Sequence, residues 1–280
     1  MTFDMGRAWS EGMARVKSNF QLLAILGGIF FFVPSVLLFV AMPDAMGAMM
    51  NPQMDPANME QVMAGLGAGF FGMYLVIILA SFIGQTAMIA LMGDARRISV
   101  GEAIGTGVKV LLPLFAILIV FIVGYFVLAL VGGMIVGLLI AGAGALSTGL
   151  AAALTAVMVL AMIVAMLWAM TRFSMTLPVL ALEGSLNPFA ALGRSWRMTR
   201  PVQWRLLLFY ILLFIAYIVL ALVLFMLMGL LTAAIGTPSA LGFLNGIVGA
   251  LVAMVFSGVV VAIYLQLAGT GTATLSEAFE

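Results

Sequence analysis

All eleven basic residues of this chain fall on one side of six apolar stretches, and this asymmetry constrains the fold more than any other feature. The stretches cover residues 20–42, 64–92, 110–140, 150–171, 205–231 and 244–267. The basic residues lie before the first stretch, between the second and third, or between the fourth and fifth: Arg7, Arg15, Lys17, Arg96, Arg97, Lys109, Arg172, Arg194, Arg197, Arg200 and Arg205. The other three connections contain none. Because Lys and Arg concentrate in cytoplasmic loops, we expect six membrane spans in a bacterial inner membrane, with both termini in the cytoplasm.

Composition supports a membrane location independently of the charge pattern. The chain is 65% hydrophobic and 8% charged, whereas about a quarter of the residues in a soluble domain are charged. Each apolar stretch reaches the ~20 residues that an α-helix needs to cross the hydrocarbon core of a bilayer. The predicted fold class is therefore an all-α polytopic membrane protein, with residues 1–280 forming a single membrane domain.

The residue types that most often perform chemistry are missing. The chain contains no Cys and no His, which removes the thiol nucleophile and the commonest general base and metal ligand. We expect no enzyme activity, catalytic residue, metal site or cofactor, and no nucleic-acid partner. A membrane enzyme using Glu183, Asp94 or Glu102 is the least favoured hypothesis, because none of them has a visible partner of complementary role.

The cytoplasmic segments resemble one another when they are aligned on a helix-capping residue. Asp4, Ser99 and Asn187 begin these segments at intervals of 95 and 88 residues, and TLSEAF at Thr274 resembles a fourth start. Ala lies four positions on, and a small residue lies eight positions on: Ala8 and Gly12, Ala103 and Gly107, Ala191 and Ser195. Ser99 with Glu102 fits a capping box, and Asn187 before Pro188 fits an N-cap. We therefore predict three units, 4–98, 99–186 and 187–273, each an amphipathic cytoplasmic helix followed by a transmembrane hairpin.

The segment LPVLALEGSLNPFAALGRSWRMTRPVQWRLL, from Leu177 to Leu207, carries a family resemblance. Its elements are a Leu-Glu-Gly turn, an Ala-Leu-x-Arg-Ser-Trp helix and an aromatic-Arg pair: Leu182, Glu183, Gly184, Ala191, Leu192, Arg194, Ser195, Trp196, Trp204 and Arg205. They resemble the membrane domain of the glycerophosphoryl diester phosphodiesterase family and of related six-span bacterial proteins. In family members that have a catalytic barrel, the barrel uses His and metal ligands. This chain contains no His, so the resemblance implies the membrane module only.

The strongest local concentration of charge is an arginine and tryptophan cluster, which we take as the candidate lipid- or partner-binding site. Its members are Arg194, Arg197, Arg200, Arg205, Trp196 and Trp204. Juxtamembrane Arg residues attract an anionic leaflet, so anionic membrane lipids are the expected partners, with a protein partner as the alternative. The same charges also set topology, and the sequence leaves both roles open. Glu183 is expected to neutralise Arg172 or Arg194.

Three further patterns have ordinary structural explanations beside functional ones. Small residues every fourth position predict helix packing seams in three spans: Ala129, Gly133, Gly137 and Ala141, then Ala161, Ala165 and Ala169, then Gly242, Gly246 and Ala250. Gln85, Gln266 and Asn245 are expected to form interhelical hydrogen bonds. The Met-rich segment 42–63 indicates a lid packed on the spans, with copper binding as the alternative.

These observations favour a scaffold or accessory subunit that engages anionic lipid or a partner protein through its basic cytoplasmic helices. The alternative is an uncoupled lipid or amphiphile carrier, or flippase, that uses an apolar groove between repeats. Proton- or ion-coupled transport is disfavoured, because coupled carriers keep ionisable side chains deep in the membrane and these spans contain almost none.

Overall fold

The computed structural model describes residues 3–42, 67–93, 98–144, 148–235 and 238–269, and within these ranges every regular element is a helix. The helices are α1 Met5–Ser18, α2 Phe20–Gly27, α3 Val33–Ala41, α4 Ala68–Gly93, α5 Val100–Gly144, α6 Thr148–Phe173, α7 Thr176–Glu183, α8 Pro188–Thr199, α9 Gln203–Ile235 and α10 Pro238–Ala268. A π-helical turn, Gly28–Phe32, joins α2 to α3, and a 3-10 turn, Arg200–Val202, joins α8 to α9.

Six of the described segments are long and apolar enough to cross a membrane, which confirms the predicted number of spans. The first span comprises α2, the π-helical turn and α3, and the others are centred on α4, α5, α6, α9 and α10. We call the end of the spans that carries α1, α7 and α8 the basic end. The three remaining connections, residues 43–66, 145–147 and 236–237, are outside the described residues.

The predicted capping residues begin helices at the basic end. The Asp4 side chain accepts from the backbone N–H of Arg7 at 2.8 Å. Glu102 accepts from the Ser99 backbone N–H at 2.8 Å, and the Glu102 N–H donates to Ser99 Oγ at 3.3 Å, which completes a capping box. Asn187 accepts from the first free backbone N–H groups of α8 at 3.0 and 3.1 Å. These helix starts are fixed locally, as the sequence predicts.

The second of the three predicted amphipathic helices is not a separate element, contrary to the expected start of the third span near residue 110. It continues without a break into the span, so α5 runs for 45 residues with Pro113 inside it. Proline removes one helical hydrogen bond, but Pro113 is buried between Val110 and Ile117, whose side chains are also buried. Packing therefore holds the helix together through the proline.

The most completely buried side chains lie toward the basic end, around the contact between α4 and α10. Leu23, Met88, Met175, Leu180 and Ile263 are all less than 2% exposed there. α10 packs against α1, the first span and α4, while α4 also packs against α5 and α7. Farther along the third, fourth and fifth spans most side chains are exposed, and lipid is the solvent that suits such apolar surfaces.

The small-residue seam of the sixth span is confirmed. A Cβ added to Gly242 would lie 2.7 Å from the Cβ of Phe39, and one added to Gly246 would lie 3.0 Å from the Phe32 carbonyl oxygen. Ala250 is also buried, so α10 and the first span approach closely along this seam.

The predicted seams of the third and fourth spans are wrong in the described residues. Gly133, Ala161 and Ala165 are exposed, and a Cβ added to Gly133 or Gly137 would meet no atom within 4 Å. A four-residue spacing places small side chains on one face, but it does not supply a helix for that face to pack against.

The three helices with predicted caps, α1, α5 and α8, each pack on a span through a small residue near their start. The contacts are Gly12 with Val259 of α10, Gly107 with Ile83 of α4, and Ser195 with Arg172 of α6. One turn earlier, Ala8, Ala103 and Ala191 are completely buried. Small side chains at both positions let the helix backbones approach one another.

Candidate functional site

The predicted arginine and tryptophan cluster lies on α8, the 3-10 turn and the start of α9. Gly184 ends α7 with a φ of 66°, a left-handed conformation that favours glycine, and the chain then turns into α8. This turn brings Glu183 against α8, where its Oε1 accepts from Arg194 Nε at 3.1 Å and from the Tyr264 hydroxyl at 2.9 Å. Glu183 therefore neutralises Arg194, one of the two partners that the sequence predicts.

The remaining arginines of the cluster are not neutralised in this way. Arg197, Arg200 and Arg205 are exposed and make no ion pair with any acidic residue in the described ranges. Trp204, beside Arg205, is 67% exposed, which is unusual for so large an apolar side chain. The cluster thus contains one arginine that is paired with an acid, Arg194, and three that are not. One of these three, Arg205, directly follows the exposed Trp204.

Arg172, at the end of α6, is buried beneath α8. Its guanidinium carbon lies 5.2 Å from the ring centroid of Trp168 and 4.7 Å from that of Trp196. The two indoles meet edge to face, with centroids 5.3 Å apart. The backbone carbonyl of Arg172 accepts from Ser195 Oγ at 2.8 Å, which fixes α8 above this position. We call Trp168 and Trp196, which together enclose the Arg172 guanidinium, the aromatic cage. Trp196 therefore belongs to this cage as well as to the predicted cluster.

The cage leaves part of the arginine without partners. Nε and Nη1 of Arg172 are buried and have no hydrogen-bond partner in the part of the chain that the structure describes. Arg200 follows Thr199, whose hydroxyl donates to the Arg172 backbone carbonyl at 3.2 Å, and its charge has the same sign as that of Arg172. Indole faces attract a cation, but they do not accept in-plane N–H bonds as carboxylate or phosphate oxygens do.

Sequence reasoning placed Arg172 among the topology-setting charges and missed its burial. One signal was present, since Trp168 and Arg172 are four residues apart and therefore lie on one face of a helix. The second indole comes from α8, 24 residues farther along the chain, so only the tertiary structure shows that the cage closes.

The polar residues inside the spans form interhelical hydrogen bonds, as expected. Gln85 Nε2 donates to Ser257 Oγ at 2.8 Å, which joins α4 to α10. Asn245 Nδ2 donates to Ser35 Oγ at 3.1 Å, and Gln266 Oε1 accepts from the backbone N–H of Asp4 at 3.3 Å. These side chains hold helices together and do not form a separate polar site.

The acidic residues considered for catalysis have structural partners where they are described. Glu102 caps α5 through Ser99, and Glu183 binds Arg194 and Tyr264. Among the described residues no group of three or more His, Cys, Asp and Glu is placed to hold a metal ion. Asp94, Arg96, Arg97, the Thr274 start and nearly all of the Met-rich segment 42–63 lie outside the described residues.

A small apolar cavity of about 220 Å³ lies between α4, α5 and the junction of α6 with α7. Its walls include Phe82, Leu114, Phe121, Phe173 and Thr176. The Thr176 hydroxyl is buried there and has no hydrogen-bond partner in the described ranges. Phe173 separates the cavity from the aromatic cage, since its ring lies 5.2 Å from that of Phe121 and 5.6 Å from that of Trp196.

Comparison with known families matches residues 150–270 to the model described as the membrane domain of glycerophosphoryl diester phosphodiesterase. The match covers 121 of the 280 residues, and the whole arginine and tryptophan cluster lies inside it. It confirms the resemblance expected from Leu177–Leu207 and concerns the membrane domain of that enzyme, not its catalytic part. No curated protein and no solved structure matches the chain. Together with the six candidate spans, the match identifies an integral, multi-pass membrane protein.

Proposed function

We propose that this chain is a non-enzymatic scaffold or accessory subunit of the bacterial inner membrane that engages anionic phospholipid headgroups at its basic end. The observation that carries the proposal is the exposure of Arg197, Arg200 and Arg205 without an acidic partner in the described ranges, while Arg194 is paired with Glu183. An exposed arginine near an anionic leaflet contributes about 1 kcal/mol of attraction.

The tryptophan beside these arginines supports a headgroup-level location. An indole combines a large apolar body with one N–H donor, so Trp concentrates where hydrocarbon meets water. Trp204 is 67% exposed at the start of α9, next to Arg205. With Trp204 at the membrane interface, the neighbouring guanidinium groups would lie level with lipid phosphates.

We further propose that the basic end faces the cytoplasm, which puts both termini on that side. All basic residues within the described ranges lie at the basic end, and positive charge is retained on the cytoplasmic side of a membrane. The anionic headgroups of the cytoplasmic leaflet would then be the ones within reach of the exposed arginines.

The proposed threefold repeat is supported by how the helix starts are seated. Each start packs on the returning span of the preceding unit, and the first start packs on the last unit, as a closed ring requires. The contacted residues also occupy matching positions: Ile83 lies 16 residues before Ser99, Arg172 lies 15 before Asn187, and Val259 lies 15 before Thr274. Units that each cross the membrane twice share one orientation, so their axis would run along the membrane normal.

Charge-matched double variants test the proposed function. Replacing Arg197 and Arg205 with Gln removes two exposed charges from the cluster, and replacing Lys17 and Lys109 with Gln removes two exposed charges elsewhere at the basic end. Mass spectrometry of lipids retained after mild detergent extraction should show less phosphatidylglycerol and cardiolipin with R197Q/R205Q than with K17Q/K109Q. Equal lipid content in both variants contradicts lipid engagement by the cluster, and loss of a co-purifying protein instead indicates a protein partner.

The apolar cavity favours a second candidate, an uncoupled carrier of lipid or another amphiphile. The cavity lies between the first and second proposed units, where a groove for an apolar substrate is expected. Its volume of about 220 Å³ is below the roughly 300–1,000 Å³ of ordinary ligand pockets, so we rank the carrier second. In proteoliposomes, dithionite quenching of a fluorescent phospholipid should reach the inner leaflet no faster than in empty vesicles. Clear acceleration would establish the carrier instead.

A further inference from the structure

Arg172 is the charged side chain that the described residues bury most completely, with 6% of the residue exposed. Arg, Lys, Asp and Glu are almost never fully buried in proteins unless they are paired. Here the pairing is incomplete, because the indoles of Trp168 and Trp196 face the guanidinium while Nε and Nη1 have no acceptor in the described ranges.

Neighbouring groups do not supply the missing acceptor. Glu183, the acid closest in sequence, is occupied by Arg194 and Tyr264. The Arg172 carbonyl already accepts from Ser195 and from the Thr199 hydroxyl, the latter at 3.2 Å, and Arg200, the residue after Thr199, adds a second positive charge. Arg172 is thus a buried cation with free N–H donors and a second positive charge nearby. An anion with several acceptor oxygens would satisfy both the donors and the charge.

We propose that Arg172 binds a phosphate-ester anion between α6 and α8, with Arg200 as the second positive group. A guanidinium binds phosphate oxygens through paired hydrogen bonds, and the flanking indoles hold its plane in one orientation. The phosphate belongs either to a phospholipid headgroup or to a soluble phosphate ester. The inference rests on the proposed function, since it identifies one specific anion site at the basic end.

Titration of the full-length, delipidated protein in a neutral detergent tests this site. The ligand is dihexanoyl phosphatidylglycerol, and the readout is tryptophan fluorescence, because Trp168 and Trp196 contact Arg172. The wild type should show saturable binding, and R172Q should weaken it at least about tenfold, as expected for lost hydrogen bonds to a charged group. R172K keeps the charge without the planar fork and should bind with intermediate affinity.

Two control ligands identify the group that is recognised. Dihexanoylglycerol has the acyl chains without the phosphate, and equal affinity for it would overturn the proposal. Glycerol 3-phosphate has the phosphate without the chains. Binding of glycerol 3-phosphate as tight as that of the lipid assigns the site to a soluble phosphate ester, whereas binding of the lipid alone assigns it to a headgroup.

A thermal melt without lipid separates ligand binding from a purely structural role. An anion site leaves its charge unsatisfied when empty, so R172Q should melt at or above the wild-type temperature. A lower melting temperature with unchanged lipid affinity would mean that the cage serves only packing. If R172Q does not fold, unchanged affinity in R172K overturns the proposal. The failure of this inference can be told apart from the failure of the proposed function. R197Q/R205Q leaves Arg172 in place, so its lipid content can equal that of K17Q/K109Q while the titration still differs between the wild type and R172Q.

Discussion

Replacing Gly107 with Ala should destabilise the protein, because this residue seats the start of α5 on α4. The added Cβ would lie 2.7 Å from the backbone carbonyl oxygen of Ile83 and 3.0 Å from its Cγ2. A backbone carbonyl inside a helix cannot rotate away as a side chain does, so α4 and α5 would have to separate. Gly105 is the matched control, since a Cβ there meets nothing within 4 Å in the same helix.

The expected magnitude comes from two opposing effects. Overpacking of a close contact costs typically about 1–3 kcal/mol. Exchanging Gly for Ala within a helix returns roughly 1 kcal/mol through higher helix propensity. The net loss for G107A is therefore about 0–2 kcal/mol, while G105A, which has only the propensity term, should gain up to roughly 1 kcal/mol.

Differential scanning fluorimetry of both variants in one detergent measures the difference. At roughly 2–4 °C per kcal/mol, G107A should melt at least about 2 °C below G105A, and G105A should melt at or above the wild type. Equal melting temperatures for G107A and G105A would refute the close approach of α4 and α5 at Gly107.

Two more predictions follow from single hydrogen-bonding residues, and a third follows from the proposed topology. Asn187→Ala should cost about 1 kcal/mol of stability through the lost N-cap and should speed proteolysis within α8, measured against wild type. Gln85→Leu should cost about 0.6 kcal/mol, and at most ~1.7, because it removes the hydrogen bond to Ser257, as a melting curve would show. A Cys at Ser185 should resist an impermeant thiol reagent in intact cells, whereas a Cys at Gly149 should react; the reverse labelling pattern would invert the proposed topology.

Sequence reasoning succeeded where the determining physics is local or compositional. Hydrophobic length determined the six spans, and the caps at Asp4, Ser99 and Asn187 depend only on backbone donors within the next turn. The Gln85 hydrogen bond was predictable in kind, because an amide buried among apolar helices needs a partner. Its partner, Ser257, is 172 residues away and was not predictable.

Sequence reasoning failed where the answer depends on which helix lies opposite. The small-residue patterns of the third, fourth and sixth spans look alike, yet in the described residues only that of α10 faces a neighbouring helix closely. The burial of Arg172 likewise depends on α8 folding back over the end of α6. Similarly, the third apolar stretch indicated a span that begins near residue 110, but α5 begins at Val100 and continues through Pro113, beside which Val110 and Ile117 are buried.

Quenching of tryptophan by brominated lipids tests anionic-lipid engagement most directly. Trp204 is 67% exposed beside Arg205, so a lipid held by the exposed arginines would bring its brominated chain close to that indole. At equal mole fractions, brominated phosphatidylglycerol should quench wild-type fluorescence more strongly than brominated phosphatidylcholine. That excess should fall in R197Q/R205Q and stay at the wild-type level in K17Q/K109Q. Equal quenching of the wild type by the two lipids would contradict selective binding of anionic headgroups at the basic end.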